Sequence, residues 1–193
     1  MTIDGVRKVD DPRVLAALSQ PLRRRLMDVL KVEGPATASV LATATDQAVG
    51  NVSHHLKVLR ECGLIEEAPK LAKDRRERWW RLVSRGLRWS TSDFTDDPAT
   101  EAVAEAALSM NLDYHVSRVR AWYAAGDEER AHWGEAPFSG DQWLRLTPAE
   151  LAELEADLLG VIERWRTREI PDDGAERRPV YVFAHGVPGR PGR

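Results

Sequence analysis

At 193 residues, 42% of them hydrophobic, the chain suits one domain with a substantial extension or two small domains, and it can bury a core. A single cysteine, Cys62, excludes an intrachain disulfide framework, and no apolar run approaches the length of a membrane span. The net charge of −3 hides an asymmetry: residues 1–90 hold 17 Lys+Arg against 11 Asp+Glu, net +6, while residues 91–193 hold 11 against 20, net −9.

The first ten residues read as a loose arm. They have no hydrophobic region, so no signal peptide is expected and the protein is expected to be cytoplasmic. Asp11-Pro12 suits a helix start, with Asp as cap and Pro in the first position. Val14, Leu15 and Leu18 form the apolar side of this helix. Pro21 opens a second helix, with Leu22, Leu26, Val29 and Leu30 in a stripe and Arg23, Arg24 and Arg25 as a basic cluster. Those arginines suit either DNA-backbone contact or an ordinary solvated face. Gly34-Pro35 ends the helix.

Thr37 then caps a short helix, TASVLATA. After Thr45-Asp46 comes QAVGNVSHHLKVLRECG, with Val52, Leu56 and Leu59 on one helical face. Gly50, Ser53, His54, Lys57 and Glu61 point mainly the other way. Two helices joined by a short turn make a helix-turn-helix. An outer face of short polar side chains lets base edges in a major groove be reached, where bulky ones would hold the helix off. Asp46 is the expected cap of this second helix, and Gly63 its terminator. Gly50 costs about 1 kcal/mol of helix propensity against Ala. Either the helix frays at its start or its backbone there approaches DNA closely.

Leu64–Pro69 and Arg78–Val83 are two strand-like runs joined by the charged tip KLAKDRRE. That is a wing, and its Lys73, Arg75 and Arg76 are placed to reach phosphates or a minor groove.

The run SHHLKVLRECGLIEE, followed by DRRERWWRLV, resembles the arsenic-repressor (ArsR) family of winged-helix transcription regulators. The family pattern Ser-x-His-Leu-x-x-Leu-x-x-x-Gly-Leu is matched by Ser53, His55, Leu56, Leu59, Gly63 and Leu64. The resemblance covers roughly residues 10–85 and implies that Ser53 and His54 read DNA. The chain departs from the family in the turn, where Asp46 and Gln47 replace a Gly and a Leu, and at Ala48, where a Ser or Thr is usual. On this reading Gln47, Asn51, Ser53 and His54 meet base edges, and Lys57, Lys73, Arg75 and Arg76 meet phosphates. The basic half of the chain is the half that carries these residues.

RGLRWSTSDFTDDPAT reads as a linker packed by Trp89 and Phe94. Residues 99–125 form a long helix without Pro or Gly. Val103, Ala107, Met110 and Tyr114 lie near one side; Leu108, Leu112, Val116 and Val119 lie near another. Both sides must be buried. One is expected to pack on its own domain and the other on the same helix of a second subunit; the alternative covers both within one chain. Gln142–Leu146 alternates like a strand. Thr147-Pro-Ala-Glu150 is a capping box opening a helix to about Arg168. Pro179–Ala184 reads as a last strand that could pair with Gln142–Leu146.

The expected architecture is therefore mainly α with small β. Residues 1–90 form a winged helix-turn-helix DNA-binding domain. Residues 91–193 form a long dimerisation helix plus a small α+β unit, strand-helix-strand.

No metal site is expected. The first helix of the motif lacks the Cys-x-Cys pair of the resembled metal sensors, and Asp113-Tyr-His115 lacks its partner ligands a dozen positions on. No phosphate loop or nucleophile-base spacing supports an enzyme, and no cofactor is expected. Tyr114, Trp122, Trp133 and Trp143 are a candidate pocket for a small organic effector, or else core. The expected partners are double-stranded DNA and a second copy of the chain, with no membrane. The competing reading is a winged-helix protein–protein interaction module with no specific DNA target.

Overall fold

The structure, a computed structural model, describes residues 6–74, 77–95 and 97–192. It divides into two units, Met1–Ser117 and Arg118–Arg193.

The first unit opens with strand β1 (Val6–Lys8) and helices α1 (Pro12–Leu18) and α2 (Pro21–Val32). Both helix starts follow from the sequence: the Asp11 carboxylate accepts from the Arg13 N–H at 2.9 Å, the Gln20 side chain accepts from the Arg23 N–H at 3.1 Å, and a proline follows each cap. Next come the short strand β2 (Ala36–Thr37), helix α3 (Ala38–Thr45) capped by Thr37, and helix α4 (Val49–Glu61). Strands β3 (Ile65–Glu67) and β4 (Trp79–Leu82) follow, then β5 (Gly86–Arg88) and the long helix α5 (Pro98–Tyr123).

β4 lies between β2 and β3 in a three-stranded antiparallel sheet, with Ile65 opposite Leu82, Glu67 opposite Trp80, and Ala36 opposite Trp80 on the other edge. The β3–β4 hairpin is the wing. The helices pack over it through Leu15, Leu26, Leu41, Leu56 and Leu59, all fully buried. α5 adds Ala104 and Ala107 to the same core. This is the expected winged helix-turn-helix, in a molecule that is mainly helical with small sheets.

Three local expectations in this unit are corrected. Residues 6–8 are not a loose arm: β1 pairs in parallel with β5, so the start of the expected linker is a strand. A three-residue strand is too short for periodicity to reveal. What holds this one is Arg7, whose guanidinium donates to the carbonyls of Gly63 at 2.6 Å and Cys62 at 3.3 Å, and Val9, which is fully buried. The linker's remainder also has structure: Ser90 and Asp93 form a capping box over a turn of 3₁₀-helix that buries Phe94. Finally, Asp46 does not cap α4. It ends α3 in the left-handed region (φ 53°, ψ 54°), which Asp tolerates better than most residues, and Ala48 takes the N-cap position without a side-chain bond.

The expected end of α4 holds. Gly63 sits at φ +63°, its N–H donates to the Arg60 carbonyl, and the Leu64 N–H donates to that of Leu59, a Schellman closure.

The second unit contains helices α6 (Asp127–Trp133) and α7 (Pro148–Thr167), the latter opened by the predicted Thr147–Glu150 capping box. Neither Gln142–Leu146 nor Pro179–Ala184 is a strand, so the strand-helix-strand arrangement is not formed. Alternation supplies one apolar face but names no ladder partner, and a strand exists only once its backbone groups are paired. No helix among the described residues is long and apolar enough to cross a membrane.

Candidate nucleic-acid interface

Val52, Leu56 and Leu59 are fully buried, which fixes the rotation of α4 about its axis. Everything on the opposite face is then presented outward: Gly50, Asn51, Ser53, His54 and Lys57 are all exposed. α4 starts at Val49, so Gly50 lies within its first turn. A Cβ built on Gly50 meets nothing within 4 Å. The glycine therefore answers no packing need inside the chain.

Gln47 and Asn51 are joined to each other, Asn51 Nδ2 donating to Gln47 Oε1 at 3.0 Å, and Gln47 Nε2 donates to the Asp46 carbonyl at 2.6 Å. Their amides are thus held at the start of α4 in a set orientation. Ser53 and Lys57 line one side of an open groove of about 620 Å³. Thr37 and Ser39 at the start of α3 line another side, and Arg78 and Trp80 of the wing close it. Arg60 is in the same groove.

The groove's cations are loosely tethered. Arg60 and Arg78 approach Glu67 at 3.7 and 3.9 Å, and Lys57 approaches Glu61 at 3.9 Å. All five side chains are exposed enough for solvent to weaken these pairs, so phosphates can compete for the cations. At the wing tip the Lys73 N–H donates to the Glu77 carboxylate at 2.8 Å, which holds the Glu77 pKa below the usual range. The Lys73 side chain is exposed; Arg75 and Arg76 lie outside the described residues.

The arginine cluster of α2 is engaged in the fold: Arg25 donates to the Thr45 carbonyl at 2.5 Å, Arg23 to that of Ala16 at 3.4 Å, and Arg24 to that of Leu18 at 2.7 Å. Of the candidate effector residues, Tyr114 lies in the first unit, with the Arg24 guanidinium 4.9 Å from its ring centre. In the second unit Trp122 is half-buried, Trp133 donates to Glu129 at 2.9 Å, and Trp143 is 66% exposed. A cavity in that unit is lined by Gly126, Glu128, Glu129, His132 and Arg178.

His55 projects from α4 toward α2, half-buried, with its Nδ1 lacking a hydrogen-bond partner. Burial, then the charge of Arg23, then His54 lower its pKa. Burial likewise raises that of the half-buried Cys62 thiol. Among the described residues no three His, Cys, Asp or Glu side chains converge as a metal site would require. Sequence reasoning missed Thr37, Ser39, Arg60 and Arg78 as groove residues. Arg78 was legible as a basic residue beside the tip; the others needed the packing of α3 against α4.

A family profile described as a helix-turn-helix domain matches residues 18–68, the span from the end of α1 through the start of the wing. A solved structure described as a possible transcriptional regulator for arsenical resistance is 30% identical, aligning 54% of this chain with 93% of that one, at a TM-score of 0.32. Residues 18–68 therefore carry a helix-turn-helix domain, within a chain that resembles the ArsR-family winged-helix regulators. The homodimeric winged helix-turn-helix DNA-binding domain of a possible ArsR-family regulator from Mycobacterium bovis is 22% identical to this regulator, over 53% of this chain and 75% of that one, at a TM-score of 0.33. A transcriptional regulator from Thermotoga maritima is 15% identical over 78% of this chain and 80% of its own, at a TM-score of 0.31. No curated protein matches the sequence.

Proposed function

We propose that this regulator is a sequence-specific repressor that binds an inverted-repeat operator as a homodimer. The observation that carries the reading is the outer face of α4: short polar side chains, one exposed glycine, and a groove edged by Lys57, Arg60 and Arg78. Gln47, Asn51, Ser53 and His54 read base edges. Lys57, Lys73, Arg75, Arg76 and Arg78 neutralise phosphates on either side.

Pairing of two chains runs through α5. Leu108 and Leu112 are 38% and 45% exposed, one helical turn apart on one side of the helix. A symmetric contact along that stripe would place two recognition helices about one DNA turn apart. An organic effector bound among the aromatic residues of the C-terminal half would act by changing that arrangement.

The test is a titration of the full chain against the promoter of its own transcription unit and against random duplex, at two salt concentrations. Preference for the promoter that survives the higher salt supports the reading. Equal, salt-sensitive affinity for both would reduce the protein to a non-specific binder, and no binding to either would return the winged helix to a protein-interaction role.

A further inference from the structure

We propose that Arg24 is a positioning residue that sets the angle of α5 against the reading head, and so the half-site spacing a dimer accepts. This rests on the dimeric reading above.

One guanidinium joins three elements. Arg24 stands on α2; its Nε donates to the Leu18 carbonyl at the end of α1 at 2.7 Å, and its Nη1 donates to Asn111 Oδ1 on α5 at 2.8 Å. The same group lies over the ring of Tyr114, one turn further along α5. Asn111 Nδ2 then stands 2.9 Å from His115 Nε2. The Asn111 oxygen is already taken by Arg24, so its amide nitrogen donates and His115 accepts with its second proton site on Nδ1.

The buried residues α5 contributes are Ala104 and Ala107. Methyl contacts are attractive but carry no direction, so these two set the roll of the helix only loosely. Hydrogen bonds from a planar, always-charged fork are directional. The Arg24–Asn111 bond, with Tyr114 beneath the guanidinium, therefore sets the roll. Arg24 touches no part of the groove that faces DNA, yet any roll of α5 would rotate the paired α5 stripe relative to α4. In a dimer that displaces the two recognition helices with respect to each other.

The experiment uses the full chain and three probes: an inverted-repeat duplex enriched by the wild-type protein from a random library, the same duplex with its spacer altered by one or two base pairs, and a duplex with a single half-site. Arg24→Gln and Asn111→Leu are expected to lose about fivefold on the parent duplex. They should hold half-site affinity within about twofold and flatten the spacer preference. Asn111→Asp keeps an acceptor for Arg24 and should keep the preference. Variants that retain the wild-type preference overturn the proposal, as does an equal loss on half-site and full site, which would mean damage to the reading head. A wild-type chain that binds half-site and repeat alike overturns the dimeric reading and this one with it; failure of the proposal alone appears only in the variants.

Discussion

The two units of this chain put similar sequence patterns to different ends. In the first, the stripe of α4 meets the core: Val52, Leu56 and Leu59 are all fully buried. In the second, α7 carries a stripe with the same spacing, yet Leu158, Ile162 and Trp165 are 43%, 40% and 63% exposed. Among the described residues of that unit no side chain is buried. Periodicity therefore decides that a segment is helical, whereas burial depends on a partner surface that periodicity does not name. The packed helix-turn-helix lies in the basic half of the chain, and the exposed α7 lies in the acidic half.

Truncating one leucine in each unit is the strongest way to break the contrast. Leu56→Ala opens a cavity beneath the reading face and should cost about 2–5 kcal/mol in denaturant unfolding. Leu158→Ala should stay within about 1 kcal/mol. Similar losses at the two positions would mean that α7 is packed in solution.

A second contrast sets cations of the groove against those elsewhere. Arg78→Ala should weaken binding to all duplexes by a similar factor and reduce the salt slope by about 1, as loss of one phosphate contact does. Arg164→Ala, on α7, should leave affinity and slope unchanged. An unaltered slope for Arg78→Ala would remove the wing's base from the interface.

Gly50→Ala sharpens the comparison within α4 itself. The added methyl meets no atom of the chain and improves helix propensity, so thermal stability should rise, by up to about 1 kcal/mol. Affinity for specific DNA should fall, because the methyl occupies the closest point of approach. A stabler variant that binds normally would show that this part of α4 stays clear of DNA.

The smallest effect is on pH. His55 folds into a site that lowers its pKa, so the unfolded chain binds the proton more readily. Stability is undiminished above the ordinary histidine value of 6.5 and falls as pH drops through it, down to the lowered folded value. His55→Gln should flatten that part of the stability–pH curve, read by urea midpoints between pH 7.5 and 5.

Most of the first unit was legible because its signals are local: Asp11-Pro12, Thr37, the Val52–Leu56–Leu59 spacing and Gly63 each act within a turn of chain. β1 was not, because its stability comes from Arg7 and Gly63, more than fifty positions apart. The Asp46 cap was misplaced because Asp suits both an N-cap and a left-handed C-cap, and only the geometry of the turn decides between them. The Arg24–Asn111 contact was equally out of reach, since Asn111 lies on a helix whose docking no local pattern records. The strands expected in the second unit failed for the complementary reason: alternation was present and a partner edge was not.

Selection of duplexes from a random library by the purified full chain tests the central claim most directly. Two recognition helices presented by a symmetric pair of chains predict an inverted repeat whose half-site centres lie about 10 base pairs apart. A bound pool with no sequence in common, or one enriched for a lone half-site, would contradict it.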